Sequence, residues 1–450
     1  MKPRSIFAAA FAVCALVFYS GCKDNSAATA RKAVAPPLKN VDVPYQSFTV
    51  DAAKGDTLDL PSGTRIYIPA GIFTDGSGSA VTGNVSISFR EMHTPGEVIA
   101  SGISMQYDSA GVSQPLQTAG MFEINGSKDG APVFIRKGAS INLDFASDAP
   151  DADYNYYNLD TTAVNWNYLS TTRSDSNKVR LELLRSLSAA AVKPLQPSPF
   201  DPKAPVIDIA VDLDEHPELA GYNGIVWQYT GTGPDPEKNT WIYEQNWTSM
   251  TLSLRDSSAY TYNLRMSNNT RNFSTVVRPA LKGDNYIAAL EKFKTRMSDF
   301  ETAEAARKKR EAEAVNMPVF QRNIGVPSFG IYNCDRIYSQ KNALYVSADF
   351  KFQDDDFNEF RDKVTIYLIS GKERMVIAYN ALNTSNFWYI GTKPNRIVAV
   401  LNGTNKTEVL NVAAFAKATG RGNKSVKFPL AKSSAPVASS QELDKLILSL

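Results

Sequence analysis

Val85-Ser86-Ile87-Ser88-Phe89 and Ile141-Asn142-Leu143-Asp144-Phe145 are the two runs on which the fold turns. In each, apolar and polar side chains alternate without a break. Successive side chains of an extended chain point to opposite faces, so this spacing makes a strand with one apolar face and one polar face. Turn signals fall between such runs: Asp75-Gly76-Ser77-Gly78, Thr94-Pro95-Gly96, Asp108-Ser109-Ala110-Gly111 and Lys128-Asp129-Gly130. Short strands set between turns at this spacing predict a β-sandwich over residues 45–185.

Within that region, Arg65-Ile66-Tyr67-Ile68-Pro69-Ala70-Gly71, then Gly83-Asn84-Val85-Ser86-Ile87, and then Thr118-Ala119-Gly120-Met121-Phe122 resemble the ZU5-type β-sandwich domain. That domain is known from ankyrin-like scaffolds and from bacterial envelope proteins. The resemblance covers about a quarter of the chain, and it implies a protein-interaction or scaffold module without naming a partner. Some relatives cleave themselves at a His-Phe-Ser sequence, which this chain lacks.

Beyond the sandwich, residues 186–204 carry Pro194, Pro197, Pro199 and Pro202 and predict a stiff linker. A middle β segment is expected over 205–282. There Val226-Trp227-Gln228-Tyr229 and Trp241-Ile242-Tyr243 flank a Gly- and Pro-rich loop, as the two strands of a hairpin would. One long helix follows over 283–317, with Asp284 as its cap and Ile287, Leu290, Met297 and Phe300 on its packed face; Pro318 ends it. Strands return over 318–430. Val364-Thr365-Ile366-Tyr367-Leu368-Ile369 and Ile397-Val398-Ala399-Val400-Leu401 are apolar on both faces, which requires a sheet covered on two sides. Residues 431–450 read as a tail with a short amphipathic end. The fold class is therefore mainly β: several sandwich-like β domains, with one long helix between the middle and C-terminal β segments.

Lys2 and Arg4 precede an apolar run, Ile6 to Tyr19, that is shorter than the ~20 residues needed to span a bilayer. Residues 1–21 read as a signal peptide. Tyr19-Ser20-Gly21-Cys22 resembles the bacterial lipobox, which implies cleavage before Cys22 and acylation of its thiol and amine. Two acyl signals give stable membrane attachment. Lys23 stands where an aspartate would hold a lipoprotein in the inner membrane, so an outer-membrane anchor is expected, on the periplasmic face or the cell surface. Residues 22–44, rich in Ala, Ser, Lys and Pro, read as a flexible tether.

The chain has 450 residues, 43% hydrophobic and 21% charged, enough for two to four domains with cores of their own. With Lys2 and Arg4 removed, basic and acidic residues balance at 46 each. That balance excludes the basic face a nucleic acid demands. Once Cys14 leaves and Cys22 is acylated, only Cys334 remains, so no internal disulfide forms. A lone cysteine between strand residues reads as a small buried hydrophobe.

Catalytic patterns are few. The two histidines, His93 and His216, belong to no zinc motif, and neither a Gly-x-Ser-x-Gly elbow nor a phosphate-binding glycine loop occurs. No metal or cofactor is called for. Paired carboxylates leave no spacing signature, so a hydrolase that uses them stays open with no residues named. Asp212, Asp214 and Glu215, and Asp354, Asp355 and Asp356, are dense enough to attract calcium if backbone oxygens converge, though neither group matches the EF-hand loop. Solvated loops are the plainer account of both. Trp227, Tyr229, Trp241 and Tyr243 form the candidate ligand platform, since aromatic faces stack against sugar rings; filling the core of a small sheet is the competing role.

The functional expectation is a non-enzymatic cell-envelope lipoprotein that binds or scaffolds a protein partner, with a glycan as the second choice. A carbohydrate-binding lipoprotein of an uptake system and an envelope hydrolase using paired carboxylates are the alternatives.

Overall fold

The computed structural model describes residues 32–109, 112–151, 153–187, 191–209, 212–338, 342–371, 375–420 and 424–450. Residues 1–21, expected to be a signal peptide, and Cys22 lie outside the described residues. The protein is mainly β, with many antiparallel sheets and one long helix between its middle and C-terminal strands.

The two alternating runs face each other across a sandwich. Val85, Ile87 and Phe89 come from strand Asn84–Met92, and Ile141, Leu143 and Phe145 from strand Ile141–Ser147; all six are fully buried in one core. The first sheet runs Gln46–Asp51, Asn84–Met92, Val112–Lys128, Gly330–Ile337, Asn155–Asp160 and Asn165–Thr171, every pair antiparallel. The second runs Asp56–Asp59, Arg65–Ile68, Ile141–Ser147, Phe320–Val326 and Ser174–Ser176. Helix α1 (Pro95–Ser101) leaves the first sheet after a capping box made by Thr94 and Glu97.

Two sandwich strands, Phe320–Val326 and Gly330–Ile337, come from beyond the long helix. The boundary expected at residue 318 is thus not a domain boundary. Pairing between strands distant in sequence leaves no local mark, and the pattern at 320–337 looks like any other half-buried strand. Everything between Ser174–Ser176 and its neighbour Phe320–Val326 is an insertion. Its ends meet where the Asn177 amide donates to the Val319 carbonyl, 2.9 Å away. The chain departs through α2 (Lys178–Ser186) and returns through α3 (Gly283–Asn316), and Arg180 Nε donates to the Ala314 carbonyl between them.

The inserted arm holds a five-stranded antiparallel sheet in the order Val206–Ile207, Val226–Tyr229, Asn272–Ala280, Thr261–Ser267 and Ser249–Asp256. Its core runs from Leu195 to Ala289 and includes Trp227, Tyr262, Leu264 and Phe273. The proline-rich stretch read as a linker belongs to this body from Leu195 onward: Leu195 is buried, and its carbonyl accepts from Tyr222 Oη. On α3 the packed residues are Tyr286, Ala289 and Phe293, whereas Ile287 faces solvent. Lys282, not Asp284, is the N-cap, and it makes no side-chain cap bond.

The first sheet continues past the sandwich. Its long strand Val112–Lys128 touches Met375–Asn380 through one residue pair, Gln117 with Met375, and the sheet then runs through Val364–Ser370, Asn395–Leu401, Thr407–Leu410 and Ala431–Lys432. A small sheet of Phe387–Ile390, Ala343–Lys351 and Ser425–Pro429 covers one face, together with α4 (Asp355–Glu359) and α5 (Val412–Thr419). Ile366 and Leu368 point into that core. Tyr367, Ile369, Val398 and Val400 point the other way, toward Val98 and Ile99 of α1 and Leu443 and Ile447 of α6 (Ser440–Leu448). The doubly apolar strands are covered on both faces, as their composition requires.

Two segments read as loose are built into this second core. Ala33, Leu38, Val41 and Val43, placed within the tether, are buried there, and the segment bonds to both neighbours: Ala35 N to Gly102 O, Lys39 N to Thr404 O, and Gly403 N to Pro37 O. The supposed tail ends in α6, whose Asp444 carboxylate accepts from Thr94 Oγ1 and from the Gly96 amide at the start of α1. Sparse apolar residues among Ala, Pro and Lys give no periodicity, so their burial depends on surfaces supplied from elsewhere.

Candidate functional site

Where the segment 32–37, α1 with its following loop, and the C-terminal sheet come together, they leave a cavity of about 470 Å³. That is the size class of small-molecule sites, about 300–1,000 Å³. Val98, Ile99, Ile103, Met105, Tyr367 and Val376 form a buried apolar floor. Exposed residues of the lining include Lys32, Ala378, Asn380 and Asn402; on the sheet Thr365 lies between the two asparagines, paired with Asn380 and bonded to Asn402. Lys32 is the one charged residue of the lining among the described residues.

Each wall has a local cause. Gly102 ends α1 with φ at 63°, a left-handed conformation glycine adopts readily, and a Cβ there would stand 2.2 Å from Ala35 C and Pro36 N. The glycine therefore lets the 33–43 segment lie directly on the helix end. The rim amides are already engaged. Asn402 Nδ2 donates to Thr365 Oγ1 at 2.9 Å, while Asn380 accepts from Leu382 N and donates to Asp362 O. Tyr379 Oη donates to the Trp388 carbonyl. No local pattern announces this site, since its residues come from three distant stretches. The one usable signal is the doubly apolar strand Val364–Ser370, which shows that something covers the second face without showing what.

The residues singled out in the sequence lie elsewhere. Trp227 is 5% exposed and sits edge-on to Tyr262 in the core of the arm. Tyr229 is half-buried, its Oη donating to Gly233 O. Trp241 and Tyr243 fall on a 3-10 turn, Thr240–Glu244, instead of a second hairpin strand. Trp241 packs against Trp247 and Phe273 under Arg271, and only Tyr243 is largely exposed. The four do not form one flat exposed face, because Trp227 is needed to fill the small sheet's core.

His93 sits at the end of strand Asn84–Met92, its Nε2 2.5 Å from Glu91 Oε2 and its ring stacked on Phe145. Ser62 and Thr64 donate to the same Glu91 carboxylate. The serine is thus bonded to the acid and not to the histidine, which is the wrong order for a nucleophile and its base. His216 lies in the arm, bonded to Glu218, which also accepts from Tyr262. Cys334 is fully buried, and burial pushes its thiol well up, as suits a core residue. Asp354 caps α4 and pairs with Lys406 and Lys432, and Asp356 also pairs with Lys406. Asp212 accepts from the Asp214 amide in a turn. Among the described residues, no group of three or more His, Cys, Asp or Glu is placed to hold a metal ion, and no helix is long and apolar enough to cross a membrane.

A second feature lies outside the cavity. Asp335 is fully buried with one carboxylate oxygen unpartnered, the other taking a bond from Asn333 Nδ2. Burial pushes its carboxyl well above the usual range.

Comparison with known proteins finds no matching family model, no matching curated protein and no matching solved structure.

Proposed function

We propose that the protein is a non-enzymatic lipoprotein of the bacterial cell envelope, held by acylated Cys22, that binds or scaffolds a protein partner through its inserted arm. The observation that carries this reading is the insertion itself. A body with its own core is placed between two neighbouring strands of a sandwich and fastened by two helices. On α3, Arg296 bonds to carbonyls of the arm at Pro217 and Ala220, while Ala314 bonds to α2. These fastenings are about 27 Å apart along the axis at ~1.5 Å per residue. Such a layout sets a binding module off from the rigid unit that bears the anchor, and the ZU5-type resemblance of the sandwich supports an interaction role.

The alternatives draw less support. A stacking platform loses Trp227 to the core, and for a hydrolase, Ser62 and Thr64 are bonded to Glu91 and not to His93.

Because the helices run antiparallel and close together, residues 188–305 can be replaced by a short Gly/Ser loop without parting the sandwich strands. The test is affinity capture from the native envelope with the acylated protein and with this arm-excised version. Partners held by the first and lost by the second are expected. Identical capture by both would overturn the assignment to the arm.

A further inference from the structure

We propose that the cavity is a binding site for one long-chain fatty acid, its alkyl chain on the floor of Val98, Ile99, Ile103, Tyr367 and Val376 and its carboxylate beside Lys32. The inference rests on the membrane-anchored reading above for the source of the ligand, and on the geometry of the groove for its chemistry.

The floor offers an apolar surface without charge, and three of the polar side chains around it are already engaged. Asn402 is bonded to Thr365, Asn380 to Leu382 and Asp362, and Tyr379 to Trp388. A sugar or peptide laid on the floor would set its donors and acceptors against Val98, Ile99, Ile103 and Val376, which offer no partner, a cost an alkyl chain does not incur. The head group is chosen by charge. Among the described residues Lys32 is the one charged residue of the lining; it is cationic and exposed, so a carboxylate beside it keeps its contact with water while the chain is buried.

The chain's own connectivity supplies the source. Lys32 lies ten residues after Cys22, so it stays within about 35 Å of the acylated residue even with the chain fully extended. The tether thus keeps the groove near the membrane, whose lipids are the source of such an acid.

The test uses the full mature chain with Cys22→Ala, purified without its own lipid, and cis-parinaric acid as a fluorescent fatty acid displaced by unlabelled competitors. Saturable binding at one site is expected, with palmitate competing. Affinity should rise by up to about fourfold per methylene from eight carbons until the groove is full. Lys32→Glu should weaken palmitate about tenfold while shifting hexadecanol, which has the same chain and a neutral head, by less than about twofold. Ala378→Trp and Asn402→Trp place a large ring at two exposed positions of the lining. Each should abolish binding of both competitors with the thermal melt unchanged.

Absence of saturable binding overturns the proposal, as does binding indifferent to both rim tryptophans. Equal weakening of palmitate and hexadecanol by Lys32→Glu overturns it too, since the cation would then not be reading a carboxylate. Failure of fatty-acid binding with arm-dependent capture intact would remove this inference alone. Loss of arm-dependent capture with palmitate binding intact would remove the scaffold reading alone.

Discussion

The sandwich and the C-terminal body are joined differently from the sandwich and the arm. Among the described residues the first two share a sheet through a single residue pair, Gln117 with Met375, yet they share a large apolar core to which α1, α6 and the 33–43 segment all contribute. The arm has a core of its own and is held by two helices. The number of strand pairs at a joint therefore says little about how firmly it is made; the apolar surface buried across it says more. The expected behaviour is one cooperative unit of sandwich plus C-terminal body, and a second unit, the arm, that unfolds by itself.

Removing α6 should break that comparison most severely. Ending the chain at Ser439 takes away buried Leu443 and Ile447, each worth about 1.5–3 kcal/mol, and the Asp444 carboxylate at the start of α1. A loss of roughly 3–6 kcal/mol is expected, seen in chemical denaturation as an earlier midpoint for sandwich and C-terminal body together. A split into two separate transitions for these bodies would show that the shared core does not couple them.

Leu264→Ala should sharpen the contrast from the other side. Leu264 is fully buried in the arm, and its truncation should cost about 2–5 kcal/mol there. Calorimetry is expected to show the arm's transition moving down while the larger one stays in place.

Gly102→Ala comes next, at roughly 2–3 kcal/mol, from a left-handed φ and a clash with Ala35 and Pro36. Hydrogen exchange should report faster opening at the Ala35 amide, which bonds to Gly102, and unchanged rates in the arm.

The smallest effect concerns Asp335. Its folded carboxyl titrates well above its unfolded value, so the folded state holds a proton that the unfolded state has released. Stability attached to this group is greatest below the unfolded pKa and declines as pH rises toward the folded one. Asp335→Asn should raise stability at neutral pH by roughly 1–3 kcal/mol and flatten the decline that begins above about pH 4. Urea midpoints measured from pH 4 to 8 would check this; parallel curves for the two proteins would refute it.

How much of this was legible depended on whether a residue's partner lay nearby in sequence. Val85 to Phe89 and Ile141 to Phe145 carry their own period, and α3 carries its length, so those elements could be read directly. Trp241 and Tyr243 have the same aromatic spacing as Trp227 and Tyr229 but form a 3-10 turn, because the Gly- and Pro-rich loop does not close a two-strand register. The insertion was invisible: Ser174–Ser176 and Phe320–Val326 pair with no complementarity that one sequence displays. The cavity was more so. Lys32, Ile99, Val376 and Asn402 are unremarkable residues in four unrelated contexts, and only the folded chain makes them neighbours.

The insertion also sets an order of assembly. Neither sheet of the sandwich can close until Phe320–Val326 and Gly330–Ile337 exist, and at about 5–20 residues per second the roughly 140 residues ahead of them delay those strands by some 7–30 s of synthesis. The arm pairs its strands mostly with near neighbours in sequence, the low-contact-order pattern that folds early. Once formed, it holds Asn177 and Val319 close together and replaces the closure of a very long random loop with that of a short one. The arm would then serve as a template for the sandwich that encloses it in sequence, with the N-terminal strands waiting, unpaired, for their late partners.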